Sequence, residues 1–288
     1  MTGLFVSDLH GHTERYRKLF DLIERERPDG VFLGGDLLPG GVTGEGSPRA
    51  SSFIEEVLEG GFASLRERLS EAYPAVFLIL GNDDGKACEP AIRSRAGGAG
   101  RQPEAAGGRA DDDRPDHPPL WHYVQGISAC WGPYRVFGYS YCPPSPFTLK
   151  DWERYDVSRF TDPGCSSPEE GFYSVEVPPH VRRTATIKAD LEALFGPARS
   201  PRKSGNTAGD GSAASLDDAI VLFHAPPYDT ALDRAALDNT WVEHVPMDVH
   251  VGSIAIRRFI DARKPRVTLH GHVHEAPRLT GRWREELG

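Results

Sequence analysis

Seven side chains of this 288-residue chain have the types and placement needed to bind divalent cations, and each follows a short apolar run. Asp8 and His10 follow the run from Leu4, and Asp36 follows Val31-Phe32-Leu33. Asn82 follows Val76 to Leu80, His224 follows Ala219 to Phe223, and His272 and His274 follow Val267 to Leu269. Carboxylate and amide oxygens with imidazole nitrogens suit Mn²⁺, Fe or Zn²⁺. Singly, each fragment reads as a loop: Asp-x-His as a polar cap, Gly-Asp as an Asx-turn. Together and in order they demand another reading, because the carboxyl ends of parallel strands face one crevice and gather residues far apart in sequence.

The elements that must position them are short. Leu4 to Ser7 reads as a strand, and Thr13 to Glu26 spaces Tyr16, Leu19, Phe20 and Ile23 as an amphipathic helix with Thr13 as N-cap. Val31 to Leu33 then completes a βαβ unit after the Pro28-Asp29-Gly30 turn. A helical stretch from Phe53 to Leu69 leads to the strand Val76 to Leu80. Leu120 to Val124, Ile127 to Trp131 and Arg135 to Ser140 read as a β meander. Val181 to Phe195 and Gly252 to Ala262 read as helices, Ala219 to Phe223 and Val267 to Leu269 as strands.

Residues 97–119 and 197–215 lack apolar periodicity and are expected to be mobile insertions within a single domain spanning 1–288, since strands resume after each. The formal charge of −9 disfavours a long nucleic acid as partner, which calls for a basic surface. A small phosphorylated substrate is expected instead. No apolar stretch approaches the ~18 residues of a membrane span and no leader precedes Asp8, so no membrane partner and a cytoplasmic location are expected. Cys88, Cys130, Cys142 and Cys165 have no C-x-x-C spacing and are expected to be packing residues in a reduced compartment. The oligomeric state is not legible here.

The five segments resemble the calcineurin-like metallophosphoesterase family, whose pattern is D-x-H, G-D, G-N-H-D/E, a lone His and G-H-x-H. This chain has Asp8-Leu9-His10, Gly35-Asp36, Gly81-Asn82-Asp83-Asp84, His224 and Gly271-His272-Val273-His274. The runs Leu149 to Tyr155 and His270 to Glu275 look like a prokaryotic branch of that family. The resemblance implies a four-layer α/β/β/α sandwich of two mixed sheets and two divalent metal ions. It assigns one ion to Asp8, His10, Asp36 and His274, and the other to Asp36, Asn82, His224 and His272, with Asp36 bridging. Hydrolysis of a phosphate ester by a hydroxide bridging the dinuclear centre follows from that resemblance. His272 and His274, two apart on an extended segment, would share a face. Relatives of this type run on beyond the equivalent of Gly288, so one sheet edge is expected to lack a neighbour.

The chain departs from the pattern at Asp83, where the family has a His that assists the leaving oxygen. A carboxylic acid beside cations is a poor general acid. Asp83 and His12, two residues beyond His10, are the candidates for that role. Asp84, Glu275 and Asp229 could orient metal-bound imidazoles, whereas His270 reads as buried or as a support behind the ligands, and His244, His250, His117 and His122 read as packing or surface residues. Weaker assistance to poor leaving groups favours small phosphodiesters or activated monoesters. A broad phosphomonoesterase on nucleotides or sugar phosphates is the alternative, a nuclease is disfavoured by acidity, and a partner-binding scaffold is disfavoured by the complete ligand set.

Overall fold

The computed structural model describes residues 1–40, 48–96, 119–196 and 215–287. The insertions expected to be mobile, apart from Pro119 and Ser215, lie outside the described residues. β1 (Gly3–Val6), α1 (Thr13–Glu26) and β2 (Gly30–Gly34) form a βαβ unit, with β1 and β2 parallel and Gly3 opposite Gly30. α1 buries Tyr16, Leu19 and Ile23, and it stops at Arg27, a left-handed residue whose N–H donates to Ile23 O. α2 (Pro48–Phe53), a π-helical stretch (Ile54–Glu59) and α3 (Gly60–Leu69) lead to β3 (Ala75–Ile79), parallel to β2.

α4 (Glu89–Ser94) precedes β4 (His122–Tyr123), and β5 (Ser128–Trp131) and β6 (Tyr134–Tyr139) pair antiparallel. α5 (Pro179–Thr184) and α6 (Ile187–Phe195) lead to β7 (Ala219–Phe223), parallel to β6. A small hairpin of β8 (Trp241–Val242) and β9 (Val245–Pro246) precedes α7 (Ile254–Arg263), β10 (Val267–His270) and α8 (Ala276–Thr280). The protein is therefore mixed α/β, with a parallel sheet ordered β1-β2-β3-β4 and a mixed sheet ordered β10-β7-β6-β5.

Because successive strand residues point to opposite faces, each sheet divides its side chains between two clusters. Phe32, Phe77 and Ile79 of the first sheet and Val136, Ile220 and Leu222 of the second form one cluster. Val31, Leu33, Val76, Leu78, Phe137, Val221 and Phe223 belong to the other, which the helices complete. There Tyr16 meets Phe53, Phe20 meets Phe62, and Phe195 lies between Phe137 and Phe259. Each large side chain so buried contributes on the order of 1.5–3 kcal/mol. Among the described residues no helix is long and apolar enough to cross a membrane.

Three local expectations need correction. The N-cap of α1 is His12, extended at φ −75° and ψ 100°, and Thr13 is already helical without a capping hydrogen bond. The position is set by the preceding loop, whose Gly11 N–H donates to Leu37 O. The stretch read as one helix from Val181 to Phe195 is two, because Ala185 is extended and the Thr186 hydroxyl caps α6 by accepting Ala189 N–H at 3.1 Å. The β meander is split between the sheets. Val124 N–H donates to Leu78 O of the first sheet, and only two residues later Gly126 N–H donates to Gly138 O of the second. Gly138 permits the crossing, since a Cβ there would stand 2.5 Å from Ile79 and 2.8 Å from Val124.

Candidate metal centre

The loops after β1 and β2 run side by side as a continuation of their ladder. Asp8 N–H donates to Gly35 O, His10 N–H to Asp36 O and Gly11 N–H to Leu37 O. These bonds hold Asp8, His10 and Asp36 in the left-handed region, at φ 58°, 49° and 52°, and His272 reaches φ 71°. Such a conformation costs a non-glycine residue on the order of 1 kcal/mol, so its recurrence at four of the seven candidates marks where the fold spends stability on geometry.

Two glycines allow the elements to converge. A Cβ on Gly81 would stand 2.4 Å from Asp36 Oδ1 and 2.6 Å from His224 Cε1, and Gly35, at φ 95°, lies against Gly81 and His224. The loops after β2 and β3 are tied by Asp84. Its buried carboxylate accepts Leu37 N–H at 3.1 Å, Leu38 N–H at 2.7 Å and Gly81 N–H at 2.9 Å. Asp84 thus braces the loops and touches no imidazole among the described residues. Burial, with Asp36 nearby, raises its pKa to about 7.

Asp36 occupies the middle. Its Oδ1 accepts Asp83 N–H at 2.8 Å, while Oδ2 lies 3.3 Å from His224 Nε2 and 3.9 Å from His10 Nε2. On one side, ligand atoms of Asp8, His10 and Asp36 all fall within 4.8 Å of one another. On the other, Asn82 Oδ1 is 2.9 Å from His224 Nε2 and 2.7 Å from His272 Nδ1. The far nitrogen of His224 is fixed by Gly34 O at 2.8 Å, and Asp8 is held by Ser7 Oγ and by His272 N–H. His274 is exposed, its ring centroid 5.7 Å from that of His10 and its Nδ1 3.9 Å from Glu275. The seven candidates therefore lie in one neighbourhood, with His274 at its rim.

The remaining candidates are placed differently. The Asp83 carboxylate meets His10 Nδ1 at 3.0 Å. His12 is an exposed helix cap that makes no side-chain contact with the centre among the described residues. His270 is stacked on Phe223 and engaged by Ala225 O and Thr268 Oγ1; burial lowers its pKa to about 4. Asp229, mostly exposed, faces His250 at 3.8 Å. Sequence reasoning missed Cys142, whose sulfur lies within 4.8 Å of ring nitrogens of His224 and His272. A signal exists, because Cys142 closely follows β6 at the carboxyl end of a strand parallel to β7. The mutual spacing of the cysteines does not reveal it.

The charge balance fits divalent ions. Asp8 and Asp36 are 8% and 3% exposed, and among the described residues neither carboxyl pairs with a Lys or Arg side chain. Buried carboxylates are costly unless a protonated neighbour or a metal ion balances them. Burial alone would raise the Asp36 pKa, but the neighbouring His224 and the Asp83 N–H hold it at about 2. Burial opposes a proton on His224, yet Asp36 and Asp8 carry its pKa to about 9, and burial together with His224 pushes His272 down to about 4. His10 is raised mainly by its hydrogen bond to Asp83. Buried oxygen and nitrogen donors thus converge around Asp36, a donor set that suits a bound divalent cation.

A model of the family described as calcineurin-like phosphoesterase matches residues 1–276. Among solved structures, one is 15% identical with a TM-score of 0.47, covering 94% of this chain and 84% of its own. Another, the protein TT1561 of Thermus thermophilus, is 17% identical with a TM-score of 0.42, covering 93% of this chain and 80% of its own. No curated protein matches the chain.

Proposed function

Since the chain belongs to the calcineurin-like phosphoesterase family, and so among the metal-dependent phosphoester hydrolases, we propose that it hydrolyses small phosphodiesters or activated phosphomonoesters at a dinuclear centre. The observation that carries this reading is that Asp36 Oδ2 lies 3.9 Å from His10 Nε2 and 3.3 Å from His224 Nε2, which suits one carboxylate shared by two ions. Asp8, His10, Asp36 and His274 would hold one ion, and Asp36, Asn82, His224 and His272 the other. The ions, when bound, would supply Lewis acidity towards the phosphoryl oxygens and lower the pKa of water.

The chain's own residues set the rest. Asp83 orients His10 through Nδ1 and leaves Nε2 towards the centre, and Gly34 O does the same for His224. Arg15 fixes the Asp8 carbonyl at 2.7 Å, and Asp84 keeps the two ligand-bearing loops in register. With Asp83 committed to His10, protonation of the departing oxygen lacks a dedicated side chain among the described candidates, which favours acidic leaving groups. A four-layer sandwich, a single domain and a cytoplasmic setting belong to the same proposal. The mutual packing of Phe32, Phe77, Ile220 and Leu222 from the two sheets supports the layered arrangement.

The test is hydrolysis of aryl and alkyl phosphodiesters and monoesters by protein reconstituted with Mn²⁺, Fe²⁺ or Zn²⁺, with Asp36→Asn as control. Asp36→Asn is expected to keep its circular dichroism spectrum while losing metal and activity. Failure of every reconstituted form to exceed that variant on any ester would overturn the proposal.

A further inference from the structure

We infer that the Cys142 thiol is a ligand of the ion held by Asn82, His224 and His272, giving that position a sulfur donor. The inference rests on the metal-dependent reading above and adds a residue that the family pattern of Asp, His and Asn does not contain.

Three observations support it. The sulfur lies within 4.8 Å of ring nitrogens of both His224 and His272, which themselves converge on Asn82 Oδ1. In tetrahedral zinc sites, with Zn–S near 2.3 Å and Zn–N near 2.0–2.1 Å, sulfur and nitrogen stand roughly 3.5–3.7 Å apart, so a contraction of about 1 Å suffices. The backbone on either side of the sulfur is fixed. Cys142 N–H donates to Trp152 O at 2.8 Å, and Arg154 N–H donates to Cys142 O at 3.0 Å. Finally, the preceding side chain faces elsewhere. Tyr141 meets Lys86 at 2.7 Å and Arg154 at 3.2 Å, while Cys142 alone of the pair joins the histidines.

A buried cysteine is by default a small apolar packing residue, and Cys142, fully buried, does belong to the core. Packing alone does not account for the two imidazoles beside its sulfur, whose one hydrogen-bond partner among the described residues is Ser140 O at 3.9 Å. On binding, the S–H bond breaks, the proton passes to solvent and the sulfur lone pair forms the bond to the ion. A thiolate donor makes the position softer, favouring Zn²⁺ or Fe²⁺ over Mn²⁺.

The full chain is loaded with Co²⁺ for absorption spectroscopy and with Zn²⁺ for X-ray absorption. The expected result is a sulfur-to-cobalt charge-transfer band and a Zn–S shell near 2.3 Å, both lost in Cys142→Ser and both kept in Cys88→Ser. Full metal content without either signal in the parent protein, or signals that survive Cys142→Ser, would overturn the inference while leaving the phosphoesterase reading intact. A chain that takes up no metal at all would overturn both. Should Cys142→Ser fail to fold, signals retained in each of Cys88→Ser, Cys130→Ser and Cys165→Ser assign the sulfur to Cys142, and a signal lost in one of them overturns the assignment.

Discussion

The imidazole of His10 and the carboxylate of Asp83 meet at 3.0 Å, Nδ1 to Oδ2, so that His10 Nε2 faces Asp36. A candidate for protonating the leaving group is thereby committed to aiming a ligand. Removing a carboxylate that orients a metal-bound imidazole typically costs 10- to 100-fold in affinity. Asp83→Ala is expected to weaken metal binding by about that factor, measured by competition with a chelator, and Asp83→Asn by less, because its amide oxygen can still accept. Equal affinity in parent and Asp83→Ala would remove Asp83 from this role.

Asp84 is predicted to act on stability. Its two oxygens accept three buried N–H groups from two loops. An amide replaces one of those oxygens with a donor, turning N–H against N–H, and each unsatisfied buried donor costs about 1–3 kcal/mol. Asp84→Asn should therefore unfold at a clearly lower urea concentration. A midpoint equal to that of the parent would show that the loops are held by other contacts.

His122 gives a pH-dependent prediction away from the centre. The ring stacks on Phe77 with centroids 5.2 Å apart, and its buried Nδ1 has no hydrogen-bond partner among the described residues. Burial lowers its pKa, so the fold prefers the neutral ring. A lowered histidine contributes stability that is present above its unfolded pKa, near 6.5, and is lost as pH falls below it. His122→Phe keeps the stacking and removes both the orphaned nitrogen and the proton. It is expected to raise Tm, with the gain larger at pH 5 than at pH 8; a gain that shrinks in acid would contradict this account.

Much of the fold is readable because it is locally encoded. The Tyr16, Leu19 and Ile23 spacing specifies α1, and the unbroken apolar runs at Val31, Val76 and Ala219 specify β2, β3 and β7. Thr186 escapes such a reading because a capping hydroxyl interrupts a pattern that periodicity alone carries through. The partition of β4 from β5 and β6 escapes it too. Nothing in the sequence from Leu120 to Ser140 states that Val124 pairs with one sheet and Gly126 with the other.

The sequence by itself determined the chemistry available to this protein: which donors exist, that each follows a strand, and hence that oxygen and nitrogen ligands would gather at strand ends. Tertiary structure alone decided which donors face one another. It set Asp36 Oδ2 within 4 Å of two imidazoles, turned Asp83 onto His10, left His12 exposed at a helix start, and brought the Cys142 sulfur beside His224 and His272. The physical reason is range. Strand and helix signals arise from neighbours within a few residues, whereas these contacts join positions such as 36 with 224 and 82 with 272, whose approach depends on how two sheets pack and on glycines small enough to let them.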